Sequence, residues 1–185
     1  MKRVTVRKAL GVLLAGSLSM TALYAEEDFT GVGLVGVGAS INHYKTLDNL
    51  NLENDYSAPS FDIKLGAKNN DWRFMGTYSF VKDETVAGST AKNVLLTGSV
   101  DYLIYNAPMG NGVVLQPFIG VVGGYEEYKY GGAIDESGAA YGGQIGAILD
   151  MQDCSVDAGF KYLGSTLDSV DEVYGFSVGL NYKIK

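Results

Sequence analysis

Apolar and polar residues alternate along eight successive stretches between Phe29 and Ile184. Alternation with a period of two predicts strands that have one apolar and one polar face. The predicted strands cover residues 29–44, 60–68, 72–81, 93–105, 113–128, 139–150, 155–163 and 173–184. Long and short connections alternate between them, which indicates that the two ends of the strands face different surroundings.

The polar faces of these strands carry full charges, whereas the central positions of the apolar faces carry none. The charged residues are Asp62, Lys64, Lys68, Arg73, Asp101, Asp157, Lys161 and Lys183. A soluble barrel would have the charges outside and a dry interior. In water, apolar faces of this extent would exceed the patch of about a few hundred Å² that a monomer exposes. We therefore expect lipid on the apolar side and an all-β, closed antiparallel up-and-down barrel, because closure leaves no backbone edge unpaired.

Aromatic residues on the apolar faces fall near the two ends of the predicted strands. If the chain termini are periplasmic, one group lies near the outer rim: Phe61, Tyr78, Phe80, Tyr125, Tyr141, Tyr162, Tyr174 and Phe176. The other group lies near the periplasmic rim: Phe29, Trp72, Tyr102 and Tyr182. Two such girdles are typical of transmembrane β-barrels. The same orientation places the long connections outside, at residues 45–59, 82–92, 129–138 and 164–172.

The first 25 residues have the pattern of a secretory signal peptide. Four basic residues within the first eight positions precede an apolar run from residue 9 to about 23, and Ala25 offers a small residue for cleavage. The run is shorter than the roughly 20 residues that a membrane-spanning helix needs. We expect residues 1–25 to be removed and residues 26–185 to form one barrel domain.

The composition of this predicted mature chain excludes several classes of function. It holds ten Lys and Arg against 21 Asp and Glu, a formal charge of −11. Binding to nucleic acid relies on clustered Lys and Arg, so we expect no nucleic-acid partner. Cys154 is the only cysteine and His43 the only histidine, so a disulfide framework is excluded. We expect no metal cluster and no cofactor.

The chain resembles the small eight-stranded outer-membrane barrels of the OmpA/OmpX type, which are also described as porin-family barrels. Its last strand contains a motif similar to the signal that the barrel-assembly machinery reads, with Ser177, Gly179, Tyr182 and Ile184 at the polar, glycine, aromatic and hydrophobic positions. The resemblance implies an integral protein of the bacterial outer membrane with periplasmic termini. We expect a monomer that contacts outer-membrane lipid and lipopolysaccharide.

A barrel of eight strands is only wide enough for its own side chains. The inward charges therefore predict a closed, salt-bridged lumen and a structural or surface-interaction role. Counting along the third and fourth predicted strands brings Arg73 close to Asp101 as one such pair. A narrow porin-like channel for small solutes or ions is the alternative. The acidic residues of the long connections predict either a solvated rim or contact with lipopolysaccharide phosphates through divalent cations.

Two further patterns have a possible chemical meaning. Residues 31–36 read Gly-x-Gly-x-x-Gly, but nucleotide binding requires a strand before this motif and a helix after it. Glycines in a crowded barrel wall explain the pattern better. His43 could form a lipid-modifying enzyme at the outer rim if Ser40, Asp62 or Glu126 came close to it. We expect instead an exposed rim histidine in a protein that is not an enzyme.

Overall fold

The computed structural model describes residues 31–46, 56–81, 84–86, 89–130 and 134–184. These residues form one sheet of ten antiparallel strands. The strands are β1 (Val32–Thr46), β2 (Tyr56–Lys68), β3 (Trp72–Val81), β4 (Glu84–Val86), β5 (Ser89–Leu103), β6 (Ala107–Gly110), β7 (Val113–Tyr130), β8 (Ile134–Asp150), β9 (Cys154–Ser165) and β10 (Val170–Ile184). In the described part of the chain, no helix has the length and apolar character needed to cross a membrane.

Eight of the strands close into a barrel. The order around the ring is β1, β2, β3, β5, β7, β8, β9 and β10. The ring is completed by β1 and β10, which pair from Gly33 opposite Ile184 to Thr46 opposite Val170. The short strands β4 and β6 extend the pairing of β5 and β7. The predicted eight-stranded, up-and-down barrel is confirmed.

Strand β2 shows how the sequence sets the two faces of the barrel wall. Phe61, Ile63 and Leu65 are 42–50% exposed on the outside, whereas Asp62 and Lys64 between them are 2% and 6% exposed on the inside. Successive side chains of a strand point to opposite faces, so the alternating sequence places apolar groups outward. An exterior of this kind requires an apolar solvent.

The predicted strand ends are wrong mainly on the side of the long connections, where the observed strands continue further. β2 begins at Tyr56 and not at residue 60, β8 begins at Ile134 and not at residue 139, and β10 begins at Val170 and not at residue 173. The cause is continued pairing: the extensions bury inward side chains such as Ala58 and Val170, which are fully buried.

The predicted fourth strand continues to residue 105, whereas β5 ends at Leu103. At this end the backbone N–H of Leu103 donates to the carbonyl of Asp71, just before β3, and the N–H of Ile104 donates to the carbonyl of Pro117 on β7. The predicted start at Phe29 and the whole predicted signal peptide lie outside the described residues.

The short connections have local sequence causes. In the connection between β2 and β3, Asn69 Oδ1 accepts hydrogen bonds from the backbone N–H groups of Asp71 (2.9 Å) and Trp72 (2.7 Å), which is an Asx turn. Between β6 and β7, Gly110, Asn111 and Gly112 have φ values of 89°, 52° and 75°. Glycine and asparagine are the residues that adopt such left-handed conformations most readily.

We expect Val178→Arg to destabilise the folded barrel by about 2–4 kcal/mol, because Val178 lies outward near the middle of β10, where arginine would face lipid. Val178 is 56% exposed. The measurement is equilibrium unfolding by urea in lipid vesicles, with Val178→Leu as the control that keeps an apolar side chain. Equal stability of the two variants would contradict the assignment of this face to lipid.

Candidate functional site

All eight charges that the sequence placed on the polar faces point into the barrel lumen. Six of them are buried, at 0–6% exposure: Asp62, Lys64, Lys68, Arg73, Asp101 and Asp157. Lys161 and Lys183 are partly buried. We call the side of the barrel with the short connections the turn end and the opposite side the loop end. The charges group into layers between these two ends.

The first group, the turn-end ionic layer, is centred on Asp150. Its two carboxylate oxygens contact Lys68 Nζ at 2.9 Å and Lys183 Nζ at 2.8 Å. Lys68 also donates to Gln116 Oε1 at 2.6 Å, and Lys183 to the backbone carbonyl of Met151 at 2.5 Å. The sequence reasoning missed Asp150, although its place at an inward position of the alternating pattern was a usable signal.

The second group, the central ionic layer, consists of Lys64, Arg73, Asp101 and Asp157. Arg73 Nε donates to Asp101 Oδ2 at 2.8 Å, so the contact expected from counting along the strands is present. Lys64 Nζ lies 2.7 Å from Asp157 Oδ2, and Arg73 Nη1 lies 3.6 Å from Asp157 Oδ1. Ion pairs thus connect opposite sides of the barrel wall.

Neutral side chains complete the central ionic layer. Gln144 donates to Asp101 Oδ1 at 2.6 Å and Asn181 donates to Asp157 Oδ1 at 2.7 Å. The guanidinium carbon of Arg73 lies 4.3 Å from the ring centroid of Phe118, a cation–π contact. Buried charges are tolerated only when they are paired and hydrogen-bonded, and this layer meets both conditions.

Two inward glycines provide the space for these long side chains. A Cβ atom at Gly120 would overlap Asp101 Oδ1, and a Cβ atom at Gly179 would overlap Lys64 Nζ. Any other residue at either position would displace a member of the central ionic layer. These glycines therefore serve packing in the lumen, apart from any effect on strand flexibility.

The loop end of the lumen is filled by apolar side chains, which we call the loop-end plug. Its buried members are Tyr44, Ala58, Leu95, Val122, Tyr128, Ala140, Leu163, Leu167, Val170 and Val173. Leu167 and Val170 reach the plug from the β9–β10 connection and the start of β10. That connection is fixed where Ser169 donates from its backbone N–H and hydroxyl to the Glu136 carboxylate, at 3.1 and 3.0 Å. The sequence reasoning missed the plug because Leu95 appeared as one apolar residue on a polar face.

One carboxylate is buried within the loop-end plug. Glu126 has no exposed surface, and it accepts hydrogen bonds from Asn93 Nδ2 at 2.8 Å and from Ser165 Oγ at 3.1 Å. Glu126 thus uses hydrogen bonds from neutral groups, whereas the carboxylates of the two ionic layers use ammonium or guanidinium groups.

The predicted aromatic girdles lie on the outer face of the barrel. Phe61, Phe80, Tyr141, Tyr162 and Phe176 are 45–70% exposed towards the loop end. Tyr78, Tyr125 and Tyr174 share that face and are partly buried. At the turn end, Trp72, Tyr102 and Tyr182 are 43–60% exposed, and the rings of Trp72 and Tyr102 lie 5.2 Å apart. Phe29 lies outside the described residues.

The partners considered for His43 do not meet it. Ser40 and Asp62 are buried inside the lumen, and Glu126 belongs to the plug, whereas His43 points outward. Its Nδ1 lies 2.9 Å from Ser57 Oγ on β2, and its ring lies 4.7 Å from that of Tyr174. The enzyme site that was considered is therefore not assembled. Side chains alternate along a strand, so Ser40 and Asp62 occupy inward positions while His43 occupies an outward one.

The residues of the predicted assembly motif divide between the two faces of β10. Ser177 and Gly179 point into the lumen, and Tyr182 and Ile184 are exposed outside, at 60% and 53%. The glycine motif at residues 31–36 lies at the start of β1 and pairs with both β2 and β10. Strand β1 continues from the motif to Thr46, where nucleotide binding requires a helix, so the nucleotide-binding arrangement is not formed. Cys154 is a free thiol at the start of β9.

The residues that the structure describes hold no group of three or more His, Cys, Asp or Glu side chains placed to bind a metal ion. Five of the acidic residues in the long connections are described with their side chains: Asp135, Glu136, Asp168, Asp171 and Glu172. Lys45 lies near two of them, 4.0 Å from Asp171 and 3.7 Å from Glu172. Asp48, Glu53, Asp55 and Asp83 lie outside the described residues.

A comparison with protein-family models matches residues 10–183 to the outer membrane protein β-barrel domain. The chain belongs to this family. The expected kinship with small outer-membrane barrels is thereby confirmed, and the family places this outer-membrane barrel in the bacterial outer membrane. A comparison with curated protein sequences finds no match.

Solved structures of other outer-membrane proteins have a similar fold. Neisserial surface protein A (NspA) aligns with a TM-score of 0.60 and 21% identity over 81% of this chain and 97% of its own. OprH from P. aeruginosa aligns with a TM-score of 0.54 and 22% identity over 83% and 99%. Ail, the attachment invasion locus protein of Yersinia pestis, aligns with a TM-score of 0.52 and 17% identity over 84% and 100%. At these identities the similarity shows the fold alone.

We expect the energetic effects of Arg73→Ala and Asp101→Ala to be strongly non-additive. Each single substitution leaves a charge without its partner in the lumen, at a cost of about 3–5 kcal/mol. The double variant removes both charges and should be less destabilised than the sum of the singles. The measurement is urea unfolding in lipid vesicles. The partly exposed Lys129–Glu127 pair, 2.6 Å apart, is the control, with expected coupling below about 1 kcal/mol. Additive effects of Arg73 and Asp101 would contradict the contact.

Proposed function

We propose that this outer-membrane barrel is a closed protein that acts through its outer surface, in a structural or surface-interaction role. The observation that carries the proposal is the filled lumen. The turn-end ionic layer, the central ionic layer and the loop-end plug occupy it in succession. A route for solutes would have to break ion pairs of 2.7–2.9 Å and then separate packed apolar side chains.

Barrel size supports the same proposal. In an eight-stranded barrel the side chains themselves fill the interior, whereas water-filled channels belong to barrels of about 16–18 strands. A narrow channel remains the alternative to be tested. Because the pairs connect Lys64 of β2 and Arg73 of β3 with Asp157 of β9, they restrain opposite walls and favour a structural role.

The charge of the long connections indicates the kind of partner that the outer surface could bind. We place the loop end outside and the termini in the periplasm. The long connections, residues 45–59, 82–92, 129–138 and 164–172, then carry ten acidic residues against four lysines. One solved structure of Ail holds the heparin analogue sucrose octasulfate. A polysulfate would be repelled by the acidic connections of the present chain, so we propose instead contact with lipopolysaccharide phosphates through divalent cations.

The aromatic girdles support direct contact with the lipid of the membrane. Aromatic rings are amphipathic and favour the interface between hydrocarbon and polar headgroups. We propose a monomer, inserted by the barrel-assembly machinery through its last strand and surrounded by outer-membrane lipid. We propose no enzymatic activity. The barrel wall lies between the outward ring of His43 and the carboxylates of Asp62 and Glu126, which are buried in the lumen.

We expect the full-length mature protein to produce no ion-conducting steps in planar lipid bilayers in concentrated KCl. The reason is that the two ionic layers and the plug leave no continuous water column. A larger porin in the same bilayer is the positive control, and the migration of unboiled protein on a detergent gel verifies that the barrel is folded. Reproducible steps from the folded protein would contradict the proposal and favour the narrow channel.

We expect Mg²⁺ to raise the thermal unfolding temperature of the barrel in vesicles that contain lipopolysaccharide, since the cation would join outer carboxylates to phosphates. The matched variants are Asp171→Asn with Glu172→Gln at the loop end and Asp71→Asn at the turn end. Only the loop-end variant should lose part of the Mg²⁺ effect. The same Mg²⁺ effect in vesicles without lipopolysaccharide would contradict this partner.

A further inference from the structure

A small cavity lies in the lumen between the central ionic layer and the loop-end plug. Its volume is about 50 Å³. The charged residues that line it are Asp62, Lys64, Arg73, Asp157 and Lys161, together with hydroxyl groups of threonine and serine side chains. Met75, Phe118, Val122 and Phe160 also line the cavity, so its wall is about half polar, unlike the plug above it.

Lys161 has a different environment from the other lumen cations. Lys64, Lys68, Arg73 and Lys183 each contact a carboxylate within 3 Å. Among the described residues, no acceptor lies within hydrogen-bonding distance of Lys161 Nζ and no carboxylate lies within 4.0 Å of it. Asp62 lines the same cavity as Lys161.

Asp62 on the cavity wall is also incompletely bonded. It accepts only long hydrogen bonds from hydroxyls, at 3.3 Å from Ser60 and 3.5 Å from Ser40. Asp62 as a whole is 2% exposed. Two charged groups on the cavity wall therefore have no direct ionic partner among the described residues: the Lys161 ammonium, which can donate, and the Asp62 carboxylate, which can accept.

The balance of charge indicates what can join these two groups. From the turn end up to Glu126, the described lumen side chains carry five cations and five carboxylates: Lys64, Lys68, Arg73, Lys161 and Lys183 against Asp62, Asp101, Glu126, Asp150 and Asp157. An added anion would be repelled by Asp62, and an added cation by Lys161 and Lys64. A neutral ligand that both donates and accepts hydrogen bonds fits without changing this balance.

We propose that the cavity is a binding site for a small cluster of ordered water molecules that connects Lys161 to Asp62. An enclosed water needs about 10–15 Å³ of such volume and two to four polar partners, so a cavity of about 50 Å³ holds about three to five. The water donates to Asp62 and accepts from the Lys161 ammonium and the wall hydroxyls. Lys161 and Asp62 thereby form a water-separated pair in the middle of the barrel.

The direct test is a crystal structure of the full mature barrel at a resolution that shows ordered water. The expected result is at least two water molecules on Lys161 Nζ, in a chain that ends at Asp62. A direct contact between Nζ and the Asp62 carboxylate would overturn the proposal. Crystals soaked in bromide and in rubidium salts are the control, because an anomalous peak in the cavity would show a bound ion in place of water.

A second measurement compares the coupling of two charge pairs. In urea unfolding, Lys161→Met and Asp62→Asn should change each other's effect on the unfolding equilibrium constant by about fivefold or less, as in a solvated pair. The directly bonded Arg73 and Asp101 should show about a hundredfold coupling. Equal coupling of the two pairs would overturn the water-separated arrangement. If Lys161→Met does not fold, Lys161→Gln replaces it, and the wild-type structure remains an independent test.

Discussion

The structure depends on one constraint: in a hydrocarbon solvent, every backbone N–H and C=O group must find its partner within the protein. Pairing between β1 and β10 meets this constraint for the first and the last strand of the chain. A ring of only eight strands has little interior space, so inward side chains fill most of it. The ion pairs, the lumen glycines and the apolar plug are three consequences of the same narrow closure.

Side-chain directions and contacts between neighbouring strands could be predicted from the sequence, whereas contacts across the lumen could not. The alternation in β2 fixed Phe61 as outward and Asp62 as inward, and counting along consecutive strands brought Arg73 beside Asp101. The contact of Lys64 with Asp157 joins β2 to β9, which are not adjacent in the ring. Its existence depends on closure, strand tilt and side-chain length, and none of these can be read from local periodicity.

The loop end shows a second limit of sequence reasoning. Apolar residues such as Leu95 and Val173 lie at inward positions, where the rule of charged lumen and apolar exterior predicts polar groups. Between the ionic layers and the loop end this rule does not hold, because the inward side chains there pack into the apolar plug. The same parity explains His43: its register partner Ser57 shares the outward face, whereas Ser40, three residues before it, points inward.

The loop-end plug separates the connections at the loop end from the ionic layers of the lumen. Ser169 and Glu136 join the β9–β10 connection to β8, and residues 47–55 lie beyond the last pair of β1 and β2, Tyr44 with Tyr56. Such segments can change in length and sequence without admitting water to the ionic layers. The ionic layers are accordingly shielded from whatever changes occur in the connections at the loop end.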